Sequence, residues 1–148
     1  MTTVQTQNPT QILIDGLNED LAHEYATAIQ YTHNAASVSG LARLVLKPLF
    51  EDEVQDELGH AKLLAEKIVN LGGTPTVMPK AIKPFTNPRE MLQDAIEGEE
   101  ATIKRYKERI EQAKEVGDLG LQVDLEDMVA DETRHKEEFM RILQDPNL

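Results

Sequence analysis

The chain has 148 residues, enough for one domain with a substantial core. It has no cysteine, which excludes disulfides, thiolate metal sites and cysteine nucleophiles. Its 15 Lys and Arg face 27 Asp and Glu, and the resulting net charge of -12 argues against general nucleic-acid binding, which needs a surplus of basic residues. The stretch from Met1 to Gln11 is polar and uncharged, so it resembles neither a signal peptide nor a basic DNA-binding arm. No run approaches the roughly 20 apolar residues that span a membrane. A soluble, cytoplasmic, single-domain protein over residues 1–148 is the expectation, with residues 1–10 as a flexible tail.

In chain order, Asn8 can cap a first helix that has Pro9 in its first turn. Leu13, Leu17, Leu21, Ala28 and Tyr31 then share one helical face, and the helix ends at Ser37-Val38-Ser39-Gly40. A second helix is predicted from about Leu41 to Leu71, stopped by Gly72-Gly73. Pro48 should kink it or mark its true start, because proline lacks a backbone donor. Residues 72–88 carry two glycines and four prolines and read as a long helix-free connector. Asn87-Pro88 opens a third helix to about Val116, Gly117-Asp118 makes a short turn, and a fourth runs from about Leu119 to Leu143. Strand patterns are weak throughout. The expected fold class is all-α: a four-helix bundle of two antiparallel hairpins joined by a long crossover.

The two hairpins superpose in sequence at a constant offset of 75 residues, set by Glu24 and Glu99. Tyr31 falls on Tyr106, Asp56-Glu57 on Asp131-Glu132 and His60 on His135, with Leu17 on Leu92 and Leu21 on Ile96. A gapless repeat of this length implies a duplicated hairpin related by a pseudo-twofold axis. Glu24, Glu57, His60, Glu99, Glu132 and His135 all sit on apolar stripes, where core residues belong. Four converging carboxylates would repel one another and take up protons. Only Lys104 and Lys136 lie next to these stripes, so metal cations are the expected counter-charge.

The spacing suits coordination, since Glu-x-x-His puts both side chains on one helix face. One such motif alone is weak, as the chance pair Asp20-x-x-His23 shows. Two of them in register with two further glutamates form the ligand set of ferritin-like di-iron and di-manganese bundles. Hard carboxylates with one imidazole per metal favour iron or manganese over structural zinc or blue copper. Tyr31 and Tyr106 lie two turns from Glu24 and Glu99. A phenol there hydrogen-bonds a bridging carboxylate, donates an electron, or is an ordinary core tyrosine. Of the two, Tyr31 is the candidate catalytic residue. His23 and His33 read as surface residues.

These motifs resemble the bacterioferritin branch of the ferritin-like superfamily, over roughly residues 11–144. The first helix carries Leu17-Asn18-Glu19-Asp20-Leu21-Ala22-His23-Glu24 and Gln30-Tyr31, and the second Asp56-Glu57-Leu58-Gly59-His60-Ala61. The third carries Glu90-Met91-Leu92 leading to Glu99, and the fourth Asp131-Glu132-Thr133-Arg134-His135. The resemblance implies two iron ions per subunit, with manganese as an option. Glu57 and Glu132 would bridge them, Glu24 and His60 completing one and Glu99 and His135 the other. It implies a ferroxidase that oxidises ferrous iron with dioxygen or hydrogen peroxide, for storage or detoxification in a homo-oligomeric cage. The haem-binding methionine of bacterioferritin falls at Leu58, so no haem is expected. Too few residues follow His135 for a fifth helix, which points to a dodecameric, 12-subunit Dps-like cage. The alternative is a rubrerythrin-like di-iron peroxidase or oxidase working as a dimer, although the extra glutamate of rubrerythrins falls at Thr102.

Overall fold

The helix boundaries fall where capping chemistry places them. A computed structural model describes residues 7–148 and contains α1 (Pro9–Ser37), α2 (Ala42–Asn70), α3 (Pro88–Glu115) and α4 (Leu119–Leu143), with no strand among the described residues. The Asn8 side chain accepts from the Thr10 amide, Asn87 from Arg89 and Glu90, and Asp118 from Leu121, each satisfying amides that a helix start leaves free. Gly72 and Gly117 follow the ends of α2 and α3 with φ of 90° and 74°, a backbone that side chains disfavour. Of the expected tail, residues 1–6 lie outside the described residues, and Pro9 and Thr10 already belong to α1.

Pro48 does not mark the start of α2, which begins six residues earlier at Ala42. The hydrogen bond that Pro48 cannot donate would have gone to the carbonyl of Leu44. Leu44 and Pro48 are both exposed, so water can serve that carbonyl and the helix passes through.

The order of contacts gives the topology. Tyr31 on α1 meets Glu99 on α3, while Glu24 meets Tyr106, so α1 and α3 run antiparallel. The short turns make α1–α2 and α3–α4 antiparallel hairpins. The connector therefore travels the length of the bundle beside α1. Asn18 holds it at Thr74 and Thr76, the Ala22 carbonyl takes the Lys80 amide, Gln30 takes the Lys83 amide, and His33 reaches the Phe85 carbonyl at 3.1 Å. His33 thus anchors the crossover. Among the described residues, no helix is long and apolar enough to cross a membrane.

Two core clusters fill the two ends of the bundle. One is aliphatic, with Leu13, Leu17, Leu21, Leu64, Ile68 and Leu125. The other holds Leu46, Met91 and Leu92 around the aromatic trio Tyr31, Phe50 and Phe139. Each fully buried leucine contributes about 1.5–3 kcal/mol. Between the clusters lies a polar layer.

Candidate metal centre

α1 supplies Glu24 to this layer, α2 Glu57 and His60, α3 Glu99, and α4 Glu132 and His135. Each lies about one turn from a core residue, as Glu24 does from Leu21 and Ala28, so the helical period that buries the core buries these groups too. Their relative exposures are 1–2 % for the four carboxylate residues and 7–8 % for the two histidines. The six residues expected from the sequence come together. They form two sets of possible metal-binding atoms, each within 4.8 Å: Glu24, Glu57, His60 and Glu132, and Glu57, Glu99, Glu132 and His135. Glu57 and Glu132 belong to both sets.

A surrounding shell fixes the orientation of these groups. His60 Nε2 donates to Asp131 at 3.1 Å and His135 Nε2 to Asp56 at 3.2 Å, which turns both Nδ1 atoms inward. His60 Nδ1 lies 3.0 Å from Glu132, 3.7 Å from Glu57 and 3.8 Å from Glu24. His135 Nδ1 lies 3.7 Å from Glu57, 3.8 Å from Glu132 and 3.9 Å from Glu99. The Tyr31 hydroxyl donates to Glu99 at 2.6 Å, and Tyr106 donates to Glu24. The expected phenol contact is therefore made to carboxylates that belong to one set each, and it occurs at both ends. All of these contacts obey the 75-residue relation.

On protein groups alone, protons balance the crowded charge. Burial raises the carboxyls of Glu24 and Glu99 well above the usual range, reinforced for Glu24 by the charge of Glu57 and for Glu99 by Glu132. Burial opposes charging the imidazoles, but the carboxylates crowded around each Nδ1 win. His60 rises to about 11 through Glu132 and Glu57, and His135 to about 10 through Glu53 and Glu57. Burial alone would also raise Glu57, yet its close contacts with Glu24, His135 and His60 pull it down to about 2. Despite this proton sharing, one oxygen each of Glu24, Glu57, Glu99 and Glu132, and Nδ1 of both histidines, make no hydrogen bond. An unsatisfied buried polar atom costs about 1–3 kcal/mol. Six of them converging on one layer fit cations, and oxygen with imidazole donors fits iron or manganese.

Two buried features do not follow from the repeat. Asp20, fully buried, accepts from Arg109 Nε at 2.7 Å and lies 3.5 Å from Arg105. Burial nonetheless holds its carboxyl above the usual range. Arg109 is thus an interior cation, whereas Lys104 is exposed. Gly16 makes room for it, since a Cβ there would run into the guanidinium. The second feature is Glu53, buried beside His135. Asp20 and Glu53 each sit one turn before a glutamate of the polar layer, which was their signal in the sequence. His23, half-buried, pairs with Glu19 at 3.4 Å outside the layer.

Residues 14–148 match the family model for the ferritin-like domain. The chain is 30% identical over 126 residues to bacterioferritin from Rhodobacter capsulatus, covering 83% of this chain and 77% of that protein. A solved ferritin-like, diiron-carboxylate protein from Bacillus anthracis str. Ames is 55% identical with a TM-score of 0.91, covering 94% of this chain and 100% of that one. A dodecameric thioferritin, the bacterioferritin-related protein from Bacteroides fragilis, is 26% identical with a TM-score of 0.83, covering 92% and 86%.

Proposed function

Because the chain belongs to the ferritin-like domain family, we propose that it is a ferroxidase that oxidises ferrous iron with dioxygen or hydrogen peroxide, for storage or detoxification. The observation that carries this reading is the convergence of six unpartnered buried donor atoms from four helices onto two overlapping sets. The substrates are two ferrous ions per chain, and once bound they supply two electrons to the oxidant. Manganese satisfies the same donors.

The chain's own residues bind and orient. Glu57 and Glu132, common to both sets, span the two positions, while Glu24 with His60 and Glu99 with His135 complete one each. Asp131 and Asp56 hold the histidine tautomers so that Nδ1 is free to coordinate. Tyr31 and Tyr106 fix the rotamers of Glu99 and Glu24. Of the two, Tyr31 is the proposed catalytic residue, since its hydroxyl donates to Glu99 at the edge of the centre. Binding displaces the protons held by Glu24, Glu99 and both histidines, so uptake releases protons.

The likeness to a dodecameric relative supports a 12-subunit cage; the cage is read as cytoplasmic, and as free of haem because Leu58 stands where the haem-binding methionine would. Light scattering after size exclusion, followed by aerobic loading with ferrous iron, tests this. A cage that takes up far more than two irons per chain is the expected result. A stable dimer that stops at two would sink the storage claim and leave the peroxidase alternative.

A further inference from the structure

Six metal-facing groups obey the pseudo-twofold relation, but a seventh breaks it. Glu53 lies on α2 one turn before Glu57, with an exposure of 6 %. Its Oε2 is 2.8 Å from His135 Nδ1, the inward nitrogen, yet it makes no hydrogen bond. The position related to Glu53 by the 75-residue offset is Met128, which is 2 % exposed and apolar. His60 Nδ1 therefore faces only Glu24, Glu57 and Glu132 among the described residues, whereas His135 Nδ1 has a fourth carboxylate beside it. Glu53, Asp56 and His135 also form a third group of donor atoms within 4.8 Å, whereas beside His60 and Asp131 the related position is Met128, which carries no carboxylate.

We propose that Glu53 makes the two metal positions unequal, so that a divalent cation fills the Glu99–His135 position before the Glu24–His60 position. The inference rests on the two-metal reading of the centre. A cation taken up by His135 Nδ1 has the Glu53 carboxylate next to it, in a dry layer where Coulomb attraction is weakly screened. On the His60 side, the Met128 thioether is a poor ligand for a hard cation. Glu53 acts as a ligand in its own right or as a carboxylate that positions His135, and both roles favour the same side.

The test is anomalous diffraction from crystals of the full chain soaked with Mn2+, at one equivalent per chain and at saturation. At one equivalent, density is expected at the His135 position with little at His60. Glu53→Gln, which keeps the shape, should lower the preference by about 10-fold or more. Glu53→Met, which copies the other half, should remove it, and Met128→Glu should raise occupancy beside His60. Equal filling of both positions in the wild type at one equivalent overturns the proposal, as does a preference that survives in Glu53→Gln and Glu53→Met. Saturated crystals separate the two readings. Density at neither position would show that the two-metal centre itself is wrong, while two full peaks with no preference would reject only the role of Glu53.

Discussion

The two ends of the bundle face the same polar layer with different means of support. At one end, Gly16, Asp20, Arg105 and Arg109 build a buried ion pair between α1 and α3, over an aliphatic core. At the other, the positions related by 75 residues are Met91, Ala95, Gln30 and Asn34. There Gln30 donates to Asn34 at 3.0 Å, and the core holds Phe50 and Phe139 where the first end has Leu125 and Leu64. The layer between them keeps its symmetry to the level of single hydrogen bonds: Tyr31 to Glu99 matches Tyr106 to Glu24, and Asp131 to His60 matches Asp56 to His135. Packing tolerates many solutions of similar volume, whereas a pair of cations needs donors at fixed places. The ends differ throughout, and the layer departs from symmetry at Glu53, whose related position is Met128.

The sharpest break in this comparison is charge. Arg109→Ala leaves Asp20 buried without its nearest cation and should cost about 3–5 kcal/mol in urea unfolding. Asn34→Ala at the related position removes a neutral hydrogen bond and should cost about 0.5–1.5 kcal/mol. Equal costs would show that the ion pair does not distinguish the ends. The symmetric layer predicts the opposite pattern. Tyr31→Phe and Tyr106→Phe each leave a buried carboxylate oxygen without a donor, and each should cost about 1–3 kcal/mol by the same assay. A large gap between the two would break the symmetry of the layer. Of the same order, Phe139→Leu turns the aromatic end toward the aliphatic one. It removes the ring pairings of Phe139 with Tyr31 and Phe50, each worth about 0.5–1.5 kcal/mol in the same unfolding assay.

Protonation adds a test that acts on both ends together. His60 and His135 are raised to about 11 and about 10, so the stability they give is full below their ordinary value near 6.5 and is lost as pH rises through 10 to 11. Glu24 and Glu99 are raised as well, and they oppose folding once they must ionise. Glu57, pulled down to about 2, contributes above its ordinary value near 4.5 and is lost only in acid. Thermal melts in chelator should therefore show the metal-free chain losing stability as pH rises from about 6.5 to about 11. With Mn2+ present the loss should shrink, because the cation favours the deprotonated donors.

Much of this was legible in the sequence because duplication writes the same constraint twice. The helices, the crossover over residues 72–88 and the six residues that converge in the polar layer all emerge from periodicity and the 75-residue register. What does not repeat stayed hidden. Asp20 looked like half of a chance Asp-x-x-His pair, and its partner Arg109 lies 89 residues away on another helix. The register matches Asp20 to Ala95 and Arg109 to Asn34, so it points away from that pair. Glu53 was masked in the same way by Met128. Pro48 misled locally, because a proline's effect depends on whether the carbonyl it deprives faces water, and sequence alone does not give that.

Glu57 and Glu132, common to both donor sets, are proposed to serve two cations at once. Anaerobic titration with ferrous iron, followed by metal analysis of the desalted protein, tests it most directly. The wild type should retain two ions per chain, and Glu57→Ala and Glu132→Ala should each retain one or none while keeping their helical circular dichroism. Full retention of both ions in either variant would contradict the account, because the shared glutamate it lacks would then not be needed to hold them.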